Sequence, residues 1–315
     1  MSSSSPAGAM DRSLTLFHTP QLSFIIFASP KSGTTWMQRL LSAHPAVLCA
    51  ESRPFGNYFH PNPLSNPHLS LQKYVSILST HFAPMENALK LPENKFENRV
   101  LFNFIDALGA TALAVANKKV YGEKLTPFRG TGLEVVETLS LYNPNVKFVN
   151  LTRDGRDVMV SGAAQWLNLR VKSATSDSER MKWTEALAQR SIYHEDFENF
   201  ISLWTDAVAA GLHAQQLFEN YLPLKYETFL SDPIQEAQKL LEFLEVESSP
   251  EIVLSCVQAA SFEKLSGGRT PGAEDPNSFF RKGISGDWKN WFTESETRTF
   301  IERAGHLLTQ SGYSL

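Results

Sequence analysis

Three short stretches hold the residue types best suited to chemistry. The first is Pro30-Lys31-Ser32-Gly33-Thr34-Thr35-Trp36, directly behind the apolar run Phe24-Ile25-Ile26-Phe27. The run reads as a buried strand and the small polar residues as a turn opening into a helix. Backbone N–H groups at such a helix start, joined by the hydroxyls of Ser32, Thr34 and Thr35, suit a phosphate. In the triphosphate loop G-x-x-x-x-G-K-[ST] the lysine follows the last glycine. Lys31 instead precedes Gly33, so a triphosphate is not the expected ligand. An ordinary polar turn would account for the small residues but not for the lysine beside them.

The second stretch places Arg153 at the end of the apolar run 146–151 and Ser161 eight residues later. An arginine fork and a serine hydroxyl can reach one phosphate. Asp154, Arg156 and Asp157 read as a salt-bridged helix start, with the acids favoured by the helix dipole. The third stretch, Arg281-Lys282-Gly283, follows Phe279-Phe280 in a loop rich in Gly, Ser and Pro over residues 264–287. A basic pair is usually a solvated face. In this setting it suits a lid over an anion.

The elements that must carry these residues alternate. Strands are expected at 22–28, 119–122, 146–151 and 222–226. Helices are expected at 34–42, 69–82, 97–117, 132–142, 154–166, 188–219, 233–244, 250–259 and 294–311. The alternation implies an α/β fold, a single domain with a central parallel β-sheet flanked by helices. Ligands of such sheets bind at the strands' carboxyl ends. Lys31, Glu123, Arg153 and Tyr226, each just after an expected strand, should therefore converge. Residues 1–20 read as a flexible N-terminal tail and 21–315 as the domain.

The 315 residues carry a net charge of −4, so no global basic field draws nucleic acid or an anionic membrane, and neither is an expected partner. The apolar run at 22–28 is too short to cross a membrane, nothing later approaches that length, and no secretory signal is visible. A cytoplasmic location is expected. Cys49 and Cys256 are expected as buried thiols in a reducing compartment.

Together the three stretches resemble the sulfotransferases that use 3′-phosphoadenosine 5′-phosphosulfate, and the cytosolic family in particular. That family's 5′-phosphosulfate loop, P-K-S-G-T-T-W, is complete at Pro30 to Trp36. Its 3′-phosphate motif matches Arg153 and Ser161, and its R-K-G-x-x-G-D-W-K matches Arg281, Lys282, Gly283, Gly286, Asp287, Trp288 and Lys289. Tyr226-Glu227 ahead of Asp232-Pro233 is similar to the element that helps hold the adenosine. Ser261-Phe262 is similar to the pair near the adenine, on which Trp36 would stack. The likeness runs from residue 24 to about 292. It implies a P-loop nucleotide-binding fold, 3′-phosphoadenosine 5′-phosphosulfate as donor and adenosine 3′,5′-bisphosphate as product. No metal is implied, because a sulfuryl group carries less charge than a phosphoryl group.

The resemblance also implies roles. Lys31 neutralises the leaving phosphate oxygen, and Ser32 holds Lys31 away until the acceptor arrives. Members that sulfate phenols and steroids carry a histidine base in K-T-H-L-P. Here the stretch reads Gly122-Glu123-Lys124-Leu125-Thr126-Pro127, so Glu123 takes the place, as in glycan and bacterial members. The plain alternative is an ion pair between Glu123 and Lys124, and His44, His60 and His194 are further candidates. The acceptor, a small molecule or a glycan, would meet residues 51–117. Glu51, Arg53, Phe55, Tyr58, Phe59, Phe102 and Phe104 are candidates, with core packing an equal account of the last two. The family's dimer motif is only partly matched. Lys289 and Thr293 are present, but Glu294 and Arg298 replace a valine and a glutamate, which leaves the oligomeric state open. Two rivals stand. A P-loop kinase or nucleotide triphosphatase lacks its G-K-[ST], and a non-catalytic nucleotide-binding protein would have no use for Lys31 and Glu123.

Overall fold

The computed structural model describes residues 20–51 and 95–315. Among them five strands form one sheet, all parallel, in the order β2-β3-β1-β4-β5. They are β1 Leu22–Phe27, β2 Val47–Glu51, β3 Val120–Leu125, β4 Lys147–Thr152 and β5 Tyr221–Lys225. β1 sits at the centre, paired with β3 and β4. It is buried on both faces, as a continuous apolar run requires. Ile25 and Phe27 face one core, and Phe24, Ile26 and Ala28 face the other.

The first core is closed by α2 Lys95–Ala116, α3 Gly132–Tyr142 and α6 His194–Leu217. The second is closed by α1 Thr34–Ala43, α7 Tyr226–Ser231, α8 Pro233–Phe243 and α9 Pro250–Ala259. Gly122 makes the sheet's closest contact possible: a Cβ there would stand 2.2 Å from the Phe24 ring. A third cluster joins α4 Gly155–Ser173 and α6 to the final helix. α5 Asp177–Ala188, the short α10 Phe262–Ser266, a 3₁₀ turn at Asp287–Asn290 and α11 Glu294–Gln310 complete the described elements.

Several expectations need correction. β3 runs three residues past its expected end, so Glu123 lies inside the strand rather than behind it. β2 was not expected. The helix expected at 188–219 runs from His194 to Leu217, behind a turn where Arg190 takes a left-handed φ of +56°, and α5 Asp177–Ala188 was not expected. α2 contains a stretch, Asn98–Ala116, long and apolar enough to cross a membrane by length and composition. Its Leu101, Phe102 and Ile105 are buried in the first core. The expected N-terminal tail, apart from Pro20, lies outside the described residues. So do the expected helix at 69–82 and Arg53, Phe55, Tyr58, Phe59 and His60. Cys49 and Cys256 are buried free thiols.

Candidate active site

At the carboxyl end of β1 the chain turns sharply. Lys31 adopts φ +69°, a left-handed conformation uncommon outside glycine, and Gly33 follows at +92°. Gly33 is also where a side chain would fail, since a Cβ would meet the Tyr226 ring at 2.6 Å. Gly33 caps α1 without any side-chain hydrogen bond. The first N–H groups of α1 are therefore open toward the turn.

A cavity of about 440 Å³ lies over this turn. Lys31, Gly33, Thr34, Thr35, Trp36, Arg153, Ser161, Tyr226, Ser261, Phe262, Arg281, Lys282 and Gly283 all line it. The described site thus gathers residues from the whole length of the domain. Of the expected cofactor residues, Ser32 alone does not reach the cavity. It is fully buried, with its hydroxyl 2.7 Å from that of Ser29.

Arg153 is held from several sides. Trp204 donates to its carbonyl oxygen at 3.0 Å. Its guanidinium donates to the Lys31 carbonyl at 3.0 Å and lies 4.3 Å over the Tyr226 ring. Only 9% of the residue is exposed, and among the described residues its Nε has no hydrogen-bond partner. Asp154, behind it, caps α4 and pairs with Arg156 at 2.7 Å. Asp157 does not join that pair. It accepts from the Gly286 and Trp288 N–H groups at 2.6 and 2.9 Å, tying the late loop to α4.

That loop is braced from within. Arg269 donates to the carbonyls of Ala273, Phe280 and Arg281. Arg281 and Lys282 are not free cations: they pair with Asp287 at 2.5 and 2.6 Å, and Arg281 also with Glu274. Burial works against ionising Asp287, but hydrogen bonds from Lys282, Asn290 and Arg281 hold its carboxyl down to about 2. Gly283 packs where a Cβ would stand 2.4 Å from Phe262. Trp36 donates to the Ala260 carbonyl at 2.8 Å and meets Tyr226 and Phe229 edge-on.

Burial, with Arg153, Arg281 and Lys124 nearby, pulls the Lys31 ammonium down to about 8. The group holding it is Gln165 of α4, whose Oε1 accepts from Nζ at 2.6 Å. The expectation gave that place to Ser32. Gln165 belongs to no motif. Its one sequence signal is its place one helical turn after Ser161.

Glu123 and Lys124 part company because successive strand residues face opposite ways. Lys124 lines the cavity and donates to the Thr35 hydroxyl at 3.0 Å, with Glu51 3.7 Å away. Glu123 is fully buried on the other face and accepts from the Tyr121 hydroxyl at 2.5 Å. It lines neither this cavity nor the smaller one beside it. His44 is a core residue, its ring nitrogens engaged with the Glu247 carbonyl and the Ala46 N–H. His194 is exposed at the start of α6. Phe102 packs against Tyr142, and Phe104 is half-exposed.

The family model described as the sulfotransferase domain matches residues 22–312. Cytosolic sulfotransferase 11 of Arabidopsis thaliana is 26% identical over 311 residues, covering 93% of this chain and 75% of that protein. Human sulfotransferase 2A1 is 26% identical over 170 residues, 51% of this chain. The chain spans only 56% of that relative's length. A mouse sulfotransferase solved in complex with PAP shares the fold at a TM-score of 0.52 and 16% identity, covering 93% of this chain and 86% of that one.

Proposed function

Because the chain belongs to the sulfotransferase-domain family, we propose that it transfers a sulfuryl group from 3′-phosphoadenosine 5′-phosphosulfate to a hydroxyl of a small acceptor. The observation that supports this reading is one cavity lined at separate places by residues suited to two anions. One is the uncapped start of α1 with Lys31, and the other is Arg153 with Ser161. A nucleotide phosphorylated at both its 5′ and 3′ ends needs that pair. The Arg153 Nε, without a hydrogen-bond partner among the described residues, is a donor left for such a ligand.

When bound, the donor supplies an activated sulfur whose bond to the 5′-phosphate oxygen breaks. The chain's part is positioning and charge. The α1 N–H groups and the Thr34 and Thr35 hydroxyls hold the 5′ end. Arg153, Ser161 and the Arg281–Gly283 loop hold the 3′-phosphate, so Arg281 and Lys282 exchange Asp287 and Glu274 for it. Trp36, Tyr226, Ser261 and Phe262 hold the nucleoside. Lys31 neutralises the leaving oxygen, and Gln165 keeps its ammonium aside beforehand. Glu123 is the proposed base, held by Tyr121 on the far face of β3.

The test is release of adenosine 3′,5′-bisphosphate from the sulfated donor, with a chelator present and a mixed panel of hydroxyl acceptors. Acceptor-dependent release, lost in Lys31→Ala, supports the reading. Turnover of ATP with magnesium instead would make the chain a kinase.

A further inference from the structure

Beside the donor cavity lies a second one of about 150 Å³, sharing Lys31, Ser161, Gln165, Phe279 and Arg281 with it. We propose that this cavity is an acceptor subsite, and that it takes a small polyhydroxyl molecule bearing an acid group rather than a flat aromatic. The inference rests on the sulfuryl-transfer reading, and it names the acceptor class which that reading leaves open.

Position is the first argument. Lys31 lines both cavities, and its Nζ is bound to Gln165 at their junction. A molecule in the second cavity therefore lies against the group that serves the leaving oxygen. Chemistry is the second. Ser161, Gln165, Asn168 and Lys172 are spaced four, three and four residues apart, which puts them on one face of α4. All four line the second cavity. This polar stripe runs outward for about 16 Å, at 1.5 Å per residue.

Asn168 is the built part of the subsite. It is 7% exposed. Its Nδ2 donates to the carbonyls of Ala164 and Pro276. Two carbonyl acceptors fix which way the amide points. Oδ1 is then left buried with no partner among the described residues, on a residue that lines the cavity. A buried acceptor of this kind calls for a hydroxyl donor. At the outer end Lys172 is exposed and forms no ion pair with a described residue, whereas Arg281 is neutralised by Glu274 and Asp287. Lys172 is the cation available to an acid on the ligand. A cavity of this size holds roughly one six-membered ring.

In the transfer the acceptor oxygen gains its bond to sulfur as the sulfur–oxygen bond to the 5′-phosphate breaks. That electron pair stays on the phosphate, and the hydroxyl proton of an acceptor held here passes to water, since Glu123 lines neither cavity.

The probes are D-glucuronate, its neutral methyl ester and 2-naphthol, with bisphosphate release measured at saturating donor. D-Glucuronate should show the lowest KM. Lys172→Ala should raise that KM about 1.5- to fivefold, the range for one exposed ion pair. It should leave kcat and the ester's constants unchanged. Asn168→Ala should raise KM for both sugars, with its thermal unfolding checked alongside. Calorimetric titration of D-glucuronate into protein loaded with adenosine 3′,5′-bisphosphate should show binding that Lys172→Ala weakens by the same factor. A preference for 2-naphthol, or an equal effect of Lys172→Ala on acid and ester, overturns the subsite. If adenosine 3′,5′-bisphosphate binds but D-glucuronate does not, the subsite alone falls. If the bisphosphate itself does not bind, the sulfuryl-transfer reading falls and takes the subsite with it.

Discussion

Lys31 combines two costs at one position, a left-handed backbone and a charge kept in a poor environment. Its folded pKa of about 8 lies below the ordinary 10.5. The unfolded chain therefore holds that proton more tightly, and the ligand-free protein should gain stability as pH rises from about 8 to 10.5. Lys31→Met should accordingly unfold at a higher temperature than the parent at pH 7, with the gap closing toward pH 10, while bisphosphate release is lost. An equal or lower unfolding temperature at pH 7 would show that the charge is not under strain. Gln165 makes a second prediction. A hydrogen bond to a charged group is worth ~1.5 kcal/mol or more, so Gln165→Ala should raise acceptor-independent hydrolysis of the donor about tenfold. Affinity for adenosine 3′,5′-bisphosphate should not change. Lys31, Arg153 and Tyr226 were legible because each follows a strand that an apolar run announces. Gln165 was not, since a glutamine within a helix carries no local signal. Glu123 was misplaced because Lys124-Leu125 extends β3 and turns the carboxylate to the other face.

At the scale of elements, local chemistry announced most boundaries. Asp232-Pro233 starts α8 with a side-chain cap and a proline in the first turn, and Thr293 with Glu296 forms a capping box at α11. β2 was not expected because its five residues make only a short apolar run behind His44-Pro45 and gain their order from pairing with β3. α5 was not expected because Ala186 is its one buried residue, so no apolar stripe announces it. The loop after α10 was legible as a loop but not as a braced one, since its order depends on Arg269 reaching three carbonyls up to twelve residues away. Arg269→Ala should therefore leave the unfolding temperature nearly unchanged but open residues 267–286 to limited proteolysis. Affinity for adenosine 3′,5′-bisphosphate should fall about tenfold, because these exposed or part-buried carbonyls turn to water and the loop loses charged hydrogen bonds worth ~1.5 kcal/mol or more. Wild-type protease resistance would mean the ion pairs to Asp287 brace the loop by themselves.

Across the whole molecule, the donor cavity joins parts of the chain that no local interaction holds together. Residues 30–36 follow β1, Arg153 and Ser161 belong to the β4–α4 joint, and residues 281–284 come from a loop pinned to α4 through Asp157. The order of these stretches in the sequence made the fold readable, because a parallel sheet brings successive carboxyl ends to one edge. A ligand bridging all three must resist unfolding of the domain as a unit. At ~100 times its dissociation constant, adenosine 3′,5′-bisphosphate should stabilise the native state by about 2.7 kcal/mol. For a chain of this length that is roughly a 4 °C rise in unfolding temperature, and it should appear with a chelator present. Arg153→Ala should abolish most of it, since the guanidinium is buried, set between Lys31 and Ile284, and without a partner at Nε among the described residues. A full shift in Arg153→Ala would place the second phosphate elsewhere. A shift with ATP and magnesium but none with the bisphosphate would return the chain to the kinases, for then one phosphate chain on α1, not two separated ends, would be what the cavity holds.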